Sequence, residues 1–75
     1  MNNARRKLIA NLISNLESQK EEAQSILDEE QDYFDNMPEG LQSSERGDAA
    51  ASAISELESA VSNIEDAISN LESIE

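Results

Sequence analysis

Carboxylates are the one reactive group this chain holds in quantity. Of its 75 residues, 17 are Asp or Glu against 5 Lys or Arg, with no His and no Cys, for a formal net charge of −12. Paired carboxylates can act as general acid and base, but only where a concave, water-poor pocket drives their pKa values apart. An acidic cluster around a glycine can form a calcium loop. Set on an EF-hand frame, Gly40 in the sixth position puts Asp35 first, Met37 third and Arg46 twelfth, so two essential ligands are missing. The commonest transition-metal ligands are absent, and the many serines have no His to activate them. A serine–lysine arrangement would have to use Lys7 or Lys20 on an open helix, and no glycine-rich phosphate loop is present. The expectation is a binding module with no catalytic residues, no metal and no cofactor.

The charge is unevenly spread. Residues 1–20 hold Arg5, Arg6, Lys7 and Lys20 against Glu17, a balance of +3. Residues 21–75 hold 16 acids against Arg46, a balance of −15. Such a body repels nucleic acid and anionic membranes and attracts basic surfaces, so direct nucleic-acid or membrane binding is not expected. One acidic group comprises Glu21, Glu22, Asp28, Glu29, Glu30, Asp32, Asp35 and Glu39; a second comprises Glu56, Glu58, Glu65, Asp66 and Glu72. These are the candidate partner-binding residues. A solvated coat that keeps a helical protein dispersed is the plainer reading of such runs. Ordinary solvated helices, however, mix signs and use Glu–Lys pairs four residues apart, whereas most acids here lack a nearby cation.

Two helical stretches must position these acids. Leu8, Ile9, Leu12, Ile13, Leu16, Ala23, Ile26 and Leu27 recur at helical spacing and run into Tyr33 and Phe34, with no Gly or Pro in residues 3–34. Residues 35–44 form a break, where Pro38 disfavours helix at Met37 and Gly40 gives turn freedom. Tyr33 and Phe34 are expected to plug this end against Met37 and Leu41. Ser43 or Ser44 suits the N-cap of a second helix over 45–75, and Gly47 weakens its first turn enough that the start could slip to Asp48.

The second helix has the clearest pattern. Ile54, Leu57, Val61, Ile64, Ile68 and Leu71 alternate by three and four in a near-repeat of seven, with Ala53, Ala60 and Ala67 on one flank and Glu58, Glu65 and Glu72 on the other. The segment from Ile13 to Ser18 recurs identically from Ile68 to Ser73, which shared heptad grammar explains as well as duplication does. Equal arms around a short break imply an antiparallel hairpin, with Arg5, Arg6 and Lys7 beside Glu72 and Glu75.

A chain this short, without disulfides or metal, usually needs a partner copy to complete its core. The expected architecture is all-α: a hairpin of two long helices that dimerises into a four-helix bundle or coiled coil. Leu12, Leu16, Ile26, Ile54, Leu57, Val61, Ile64, Ile68 and Leu71 would supply its core and dimer contacts. The second possibility is a dimeric coiled coil through the second helix alone. A dimer would carry about −24 over roughly 45 Å, or one charge per ~2 Å, against one per ~1.7 Å of axis in duplex DNA. Carboxylates four residues apart lie about 6 Å apart along a helix, near the spacing of successive phosphates on a strand. A rod of this kind can act as a decoy for proteins that grip phosphates.

The break, Asp35-Asn36-Met37-Pro38-Glu39 followed by Leu41-Gln42, then Ser44-Glu45-Arg46-Gly47 and an Ala/Glu/Ile heptad helix, carries a resemblance. It is similar to small acidic proteins encoded by bacteriophages, whose shared core covers roughly the last two-thirds of the chain. Some small acidic phage proteins are DNA mimics that disable host DNA-binding proteins, including HU-like nucleoid proteins. The resemblance therefore implies a homodimer acting in the bacterial host cytoplasm, with a basic host DNA-binding protein as partner. Competing expectations are a coiled-coil adaptor or assembly module, and a DNA-mimic inhibitor of a nuclease or polymerase. No functional residue is carried over from the resemblance, and the basic segment Arg5-Arg6-Lys7 lies outside it.

Overall fold

In a computed structural model, which describes residues 1–74, the chain is an all-helical hairpin 58 × 14 × 12 Å along its principal axes. Helix α1 spans Asn3–Asp35, a single turn α2 spans Glu39–Gln42, and α3 spans Glu45–Glu72. Among the described residues there is no strand.

Helix α1 opens on Asn2, whose side chain accepts a 2.8 Å hydrogen bond from the Arg5 backbone N–H. This cap satisfies one free amide at a helix start that also carries three bases against the positive end of the dipole. At the other end Asn36 N–H donates to Asp32 O at 3.0 Å and Met37 N–H to Phe34 O at 3.1 Å. Pro38 has no N–H with which to continue the helix, and its carbonyl instead receives Leu41 N–H at 2.8 Å to start α2. The break is thus partly helical.

Helix α3 begins at Glu45 and does not slip to Asp48. Ser44 occupies the N-cap position, but its hydroxyl turns back to donate to Leu41 O, while its own carbonyl accepts Asp48 N–H at 2.9 Å. Gly47 explains the tight corner. It is buried, and a Cβ built on it would lie 2.0 Å from the Gln42 carbonyl oxygen, so the glycine serves backbone approach. Gln42 also donates its side-chain amide to Phe34 O at 3.1 Å, tying α2 to the end of α1. Phe34 and Met37 are half-buried here, whereas Tyr33 and Leu41 remain 50 % and 44 % exposed. Half of the expected aromatic plug is therefore in place.

The helices meet along one heptad seam. On α3 the covered positions are Gly47, Ala50, Ile54, Leu57, Val61, Ile64, Ile68 and Leu71, with Ala53, Ala60 and Ala67 half-buried on one flank. On α1 they are Ile9, Ile13, Leu16, Lys20, Ala23, Leu27, Glu30 and Phe34, alternating by four and three. The core is thin and one-sided. Its buried apolar side chains, Ala50, Ile54, Val61 and Ile68, all belong to α3, and α1 has none.

Leu12 and Ile26, grouped with the core on spacing alone, are 46 % and 49 % exposed in the single chain. The reason is geometric. Leu8-Ile9, Leu12-Ile13 and Ile26-Leu27 are adjacent apolar pairs, and neighbours on a helix point about 100° apart. Helix α3 covers the second member of each pair and leaves the first outside. Among the described residues no helix is long and apolar enough to cross a membrane.

Candidate functional site

Two open grooves along the hairpin fix which flanks of the helices adjoin. Near the open end, Arg6, Ile9, Ala10 and Ile13 line one groove together with Leu71, Glu72 and Ile74. Further along, Lys20, Glu21, Gln24, Ser25 and Asp28 line another with Glu65. Glu58, Glu65 and Glu72 are seven apart on one stripe of α3, so this whole stripe borders the same side of α1. The α1 stripe that meets it reads Glu17, Glu21, Gln24, Asp28, Gln31 and Asp35, again alternating by four and three. One long side of the rod therefore collects carboxylates from both helices. The start of α1 and the end of α3 lie together, as the antiparallel hairpin requires, with Arg6 beside Glu72. Glu75, the other acid expected there, lies outside the described residues.

Local hydrogen bonds order part of this side. Gln24 donates its side-chain amide to Asp28 Oδ1 at 3.0 Å, and Gln31 donates to Asp35 Oδ1 at 2.9 Å. Pairs of this type four residues apart steady a helix by a few tenths of a kcal/mol. Here they also orient two carboxylates, one heptad apart. Sequence reasoning passed over Gln24 and Gln31; their Gln–Asp spacing of four was the available signal. It also left out Glu17, which continues the stripe by one turn. Half-buried Lys20 sits in the seam and lines the groove together with Glu21, Asp28 and Glu65.

The remaining acids fall elsewhere. Glu22 and Glu29 lie on the opposite flank of α1, in line with exposed Leu8, Leu12 and Ile26. Glu30 is half-buried in the seam, Asp32 faces away from α3, and Glu39 opens α2. On α3, Glu56 lies outward of the alanine flank and Asp66 on the outer face. The hairpin thus gathers Glu21, Asp28, Asp35, Glu58, Glu65 and Glu72 on one side and disperses the other candidates. Comparison with protein-family models, curated proteins and solved structures gives no match. The reading of the site rests on its own geometry.

That geometry offers charge without a pocket. Both grooves are open to solvent along the rod, and among the described residues no group of three His, Cys, Asp or Glu side chains is placed to hold a metal ion. If every one of the 5 bases were paired, 12 of the 17 carboxylates would still lack a cation. What the arrangement can do is receive an extended basic surface. Along the acidic side, successive α3 carboxylates are spaced by about 10 Å and each α1 Gln–Asp unit by the same step, since seven residues rise about 10.5 Å.

Proposed function

We propose that the chain is an acidic decoy for proteins that grip the DNA backbone, acting by binding and without catalytic chemistry. The observation that carries this reading is the two-helix acidic side, on which Glu17, Glu21, Asp28 and Asp35 run beside Glu58, Glu65 and Glu72. A rigid rod holds these carboxylates before a partner arrives, so binding need not order them. The charge density favours two copies. One hairpin carries −12 over 58 Å, or one net charge per about 5 Å, whereas two copies side by side would carry one per about 2.4 Å. Duplex DNA carries one per ~1.7 Å of axis. A homodimer approaches that density and a single hairpin does not.

The partner on this reading is a basic host DNA-binding protein. An HU-like nucleoid protein is the best single target, and the resemblance to small acidic phage proteins points to the bacterial host cytoplasm. Adding the protein to a preformed complex of an HU-like protein and duplex DNA should release the DNA at low salt. No release there would end the reading for that target, and a purified nuclease or polymerase put through the same competition separates the other decoy targets.

A specific observation favours an assembly module as the second reading. Leu8, Leu12 and Ile26 stand 66 %, 46 % and 49 % exposed on one flank of α1, away from the acidic groove. Neutralising Glu58, Glu65 and Glu72 would weaken a decoy but leave an assembly module able to associate.

A further inference from the structure

Helix α1 has 33 residues and none is buried. Its uncovered apolar side chains are not scattered. Leu8, Leu12, Ile26 and Tyr33 fall on a single heptad stripe one residue out of phase with the seam, exposed by 66 %, 46 %, 49 % and 50 %, and share it with Arg5, Asn15, Gln19, Glu22 and Glu29. The acidic groove lies along the other flank, so this stripe borders the half-buried alanine column Ala53, Ala60 and Ala67, whose small side chains let another helix approach closely. The outward stripes of α3 offer no rival surface, being mostly Ser, Asn, Glu and Asp.

We infer that this stripe is covered by α1 of a second copy running antiparallel, with the two-fold axis near Gln19. It rests on, and deepens, the two-copy assembly proposed above, and requires nothing of the target. An axis at Gln19 sets Leu12 of one copy against Ile26 of the other, each seven residues away, and seats Leu8 between the partner's Ile26 and Tyr33. Charge fixes the direction. Arg5 stands on the stripe itself, seven residues before Leu12, while Glu29 on the stripe and Glu30 at its edge stand near the far end. Lys7 falls in the column of Glu21, Asp28 and Asp35 on the acidic flank. In an antiparallel pair about Gln19, position 5 of one copy faces position 33 of the other, so Arg5 of each copy comes within about a turn of the other's Glu29 and Glu30. A parallel pair would instead set Arg5 on Arg5 and Glu29 on Glu29. Arg5, of no use to a decoy for basic proteins, thereby acquires a role: it locks the second copy in register. The acidic groove stays on the outer flank of each hairpin.

Native mass spectrometry and sedimentation should give twice the chain mass of 8.2 kDa. The substitution Arg5→Glu should weaken the dimer at least tenfold, as should the pair Glu29→Lys with Glu30→Lys. Mixing the two variants should restore association as a one-to-one heterodimer, since every edge contact is again between opposite charges. The chain has no cysteine of its own, so Leu12→Cys protein should cross-link to Ile26→Cys protein but not to itself, while circular dichroism verifies that each variant stays helical. A mass of 8.2 kDa at high micromolar concentration, unchanged association of either charge variant, or self-cross-linking of Leu12→Cys would each overturn the inference. A dimer that releases no DNA leaves this inference standing and removes the decoy; a monomer that does release DNA has the reverse meaning.

Discussion

A methyl group added to Gly47 would lie 2.0 Å from the carbonyl oxygen of Gln42, closer than two such atoms can approach. The hairpin corner is therefore built on the missing side chain of Gly47, and α2 can pack on the first turn of α3 only because of it. Gly40 has nothing within 4 Å of its own notional Cβ.

These two glycines should respond with opposite signs. Gly47→Ala should cost about 1–3 kcal/mol, because α2 and α3 must separate at the corner, although alanine is the better helix former by roughly 1 kcal/mol. Gly40→Ala should gain about 0.4–1 kcal/mol by restricting the unfolded chain. Urea titrations followed by circular dichroism read both. A stabilised Gly47→Ala protein would mean that the corner is not packed as described.

A second contrast separates the hairpin core from the outer stripe. Ile54 is 8 % exposed, and Ile54→Ala should cost about 2–4 kcal/mol at any protein concentration. Ile26 is 49 % exposed, and Ile26→Ala should lower the melting temperature only where a second copy is bound. Melting curves over a hundredfold dilution series distinguish them; concentration-independent loss from Ile26→Ala would place that side chain in the hairpin core after all.

Salt should act on fold and binding in opposite directions. Net charge of −12 on a slender rod opposes compaction, so screening between about 10 mM and 0.5 M NaCl should raise the melting temperature of the free protein. Affinity for a basic partner should fall across the same range. A melting temperature that drops with salt would show that attractive pairs, such as those of Arg6 and Lys20 with nearby acids, outweigh the repulsion.

The helical hairpin was legible in the sequence because each of its causes is local. An uninterrupted run from Asn3, Pro38 in the break and the heptads from Ile54 to Leu71 each act within a few residues. What the sequence left open was which member of each pair, Leu8 or Ile9, Leu12 or Ile13, Ile26 or Leu27, would meet α3. That choice depends on rotation about the helix axis, which α3 decides and no local signal records. Gly47 misled for a related reason: helix propensity counts it as a weakness, while its role is a tertiary approach to Gln42. The acidic candidates were drawn as two groups by position along the chain, whereas the fold sorts them by stripe. Glu21, Asp28 and Asp35 join Glu58, Glu65 and Glu72, while Glu22 and Glu29 go to the opposite flank.

The most direct test of the account is a competition measurement on the acidic side alone. Glu58, Glu65 and Glu72 are exposed on one stripe, so the triple change to Gln keeps their shape and removes three charges per chain. In about 50 mM salt, fluorescence anisotropy of labelled duplex DNA bound to an HU-like protein should fall as the unaltered protein is added. The triple variant, equally helical and equally associated, should need at least roughly tenfold more protein for the same release, and both should lose the effect near 0.5 M salt. Equal potency of the two proteins, or no release by either at low salt, would contradict the claim that this array of carboxylates stands in for the DNA backbone.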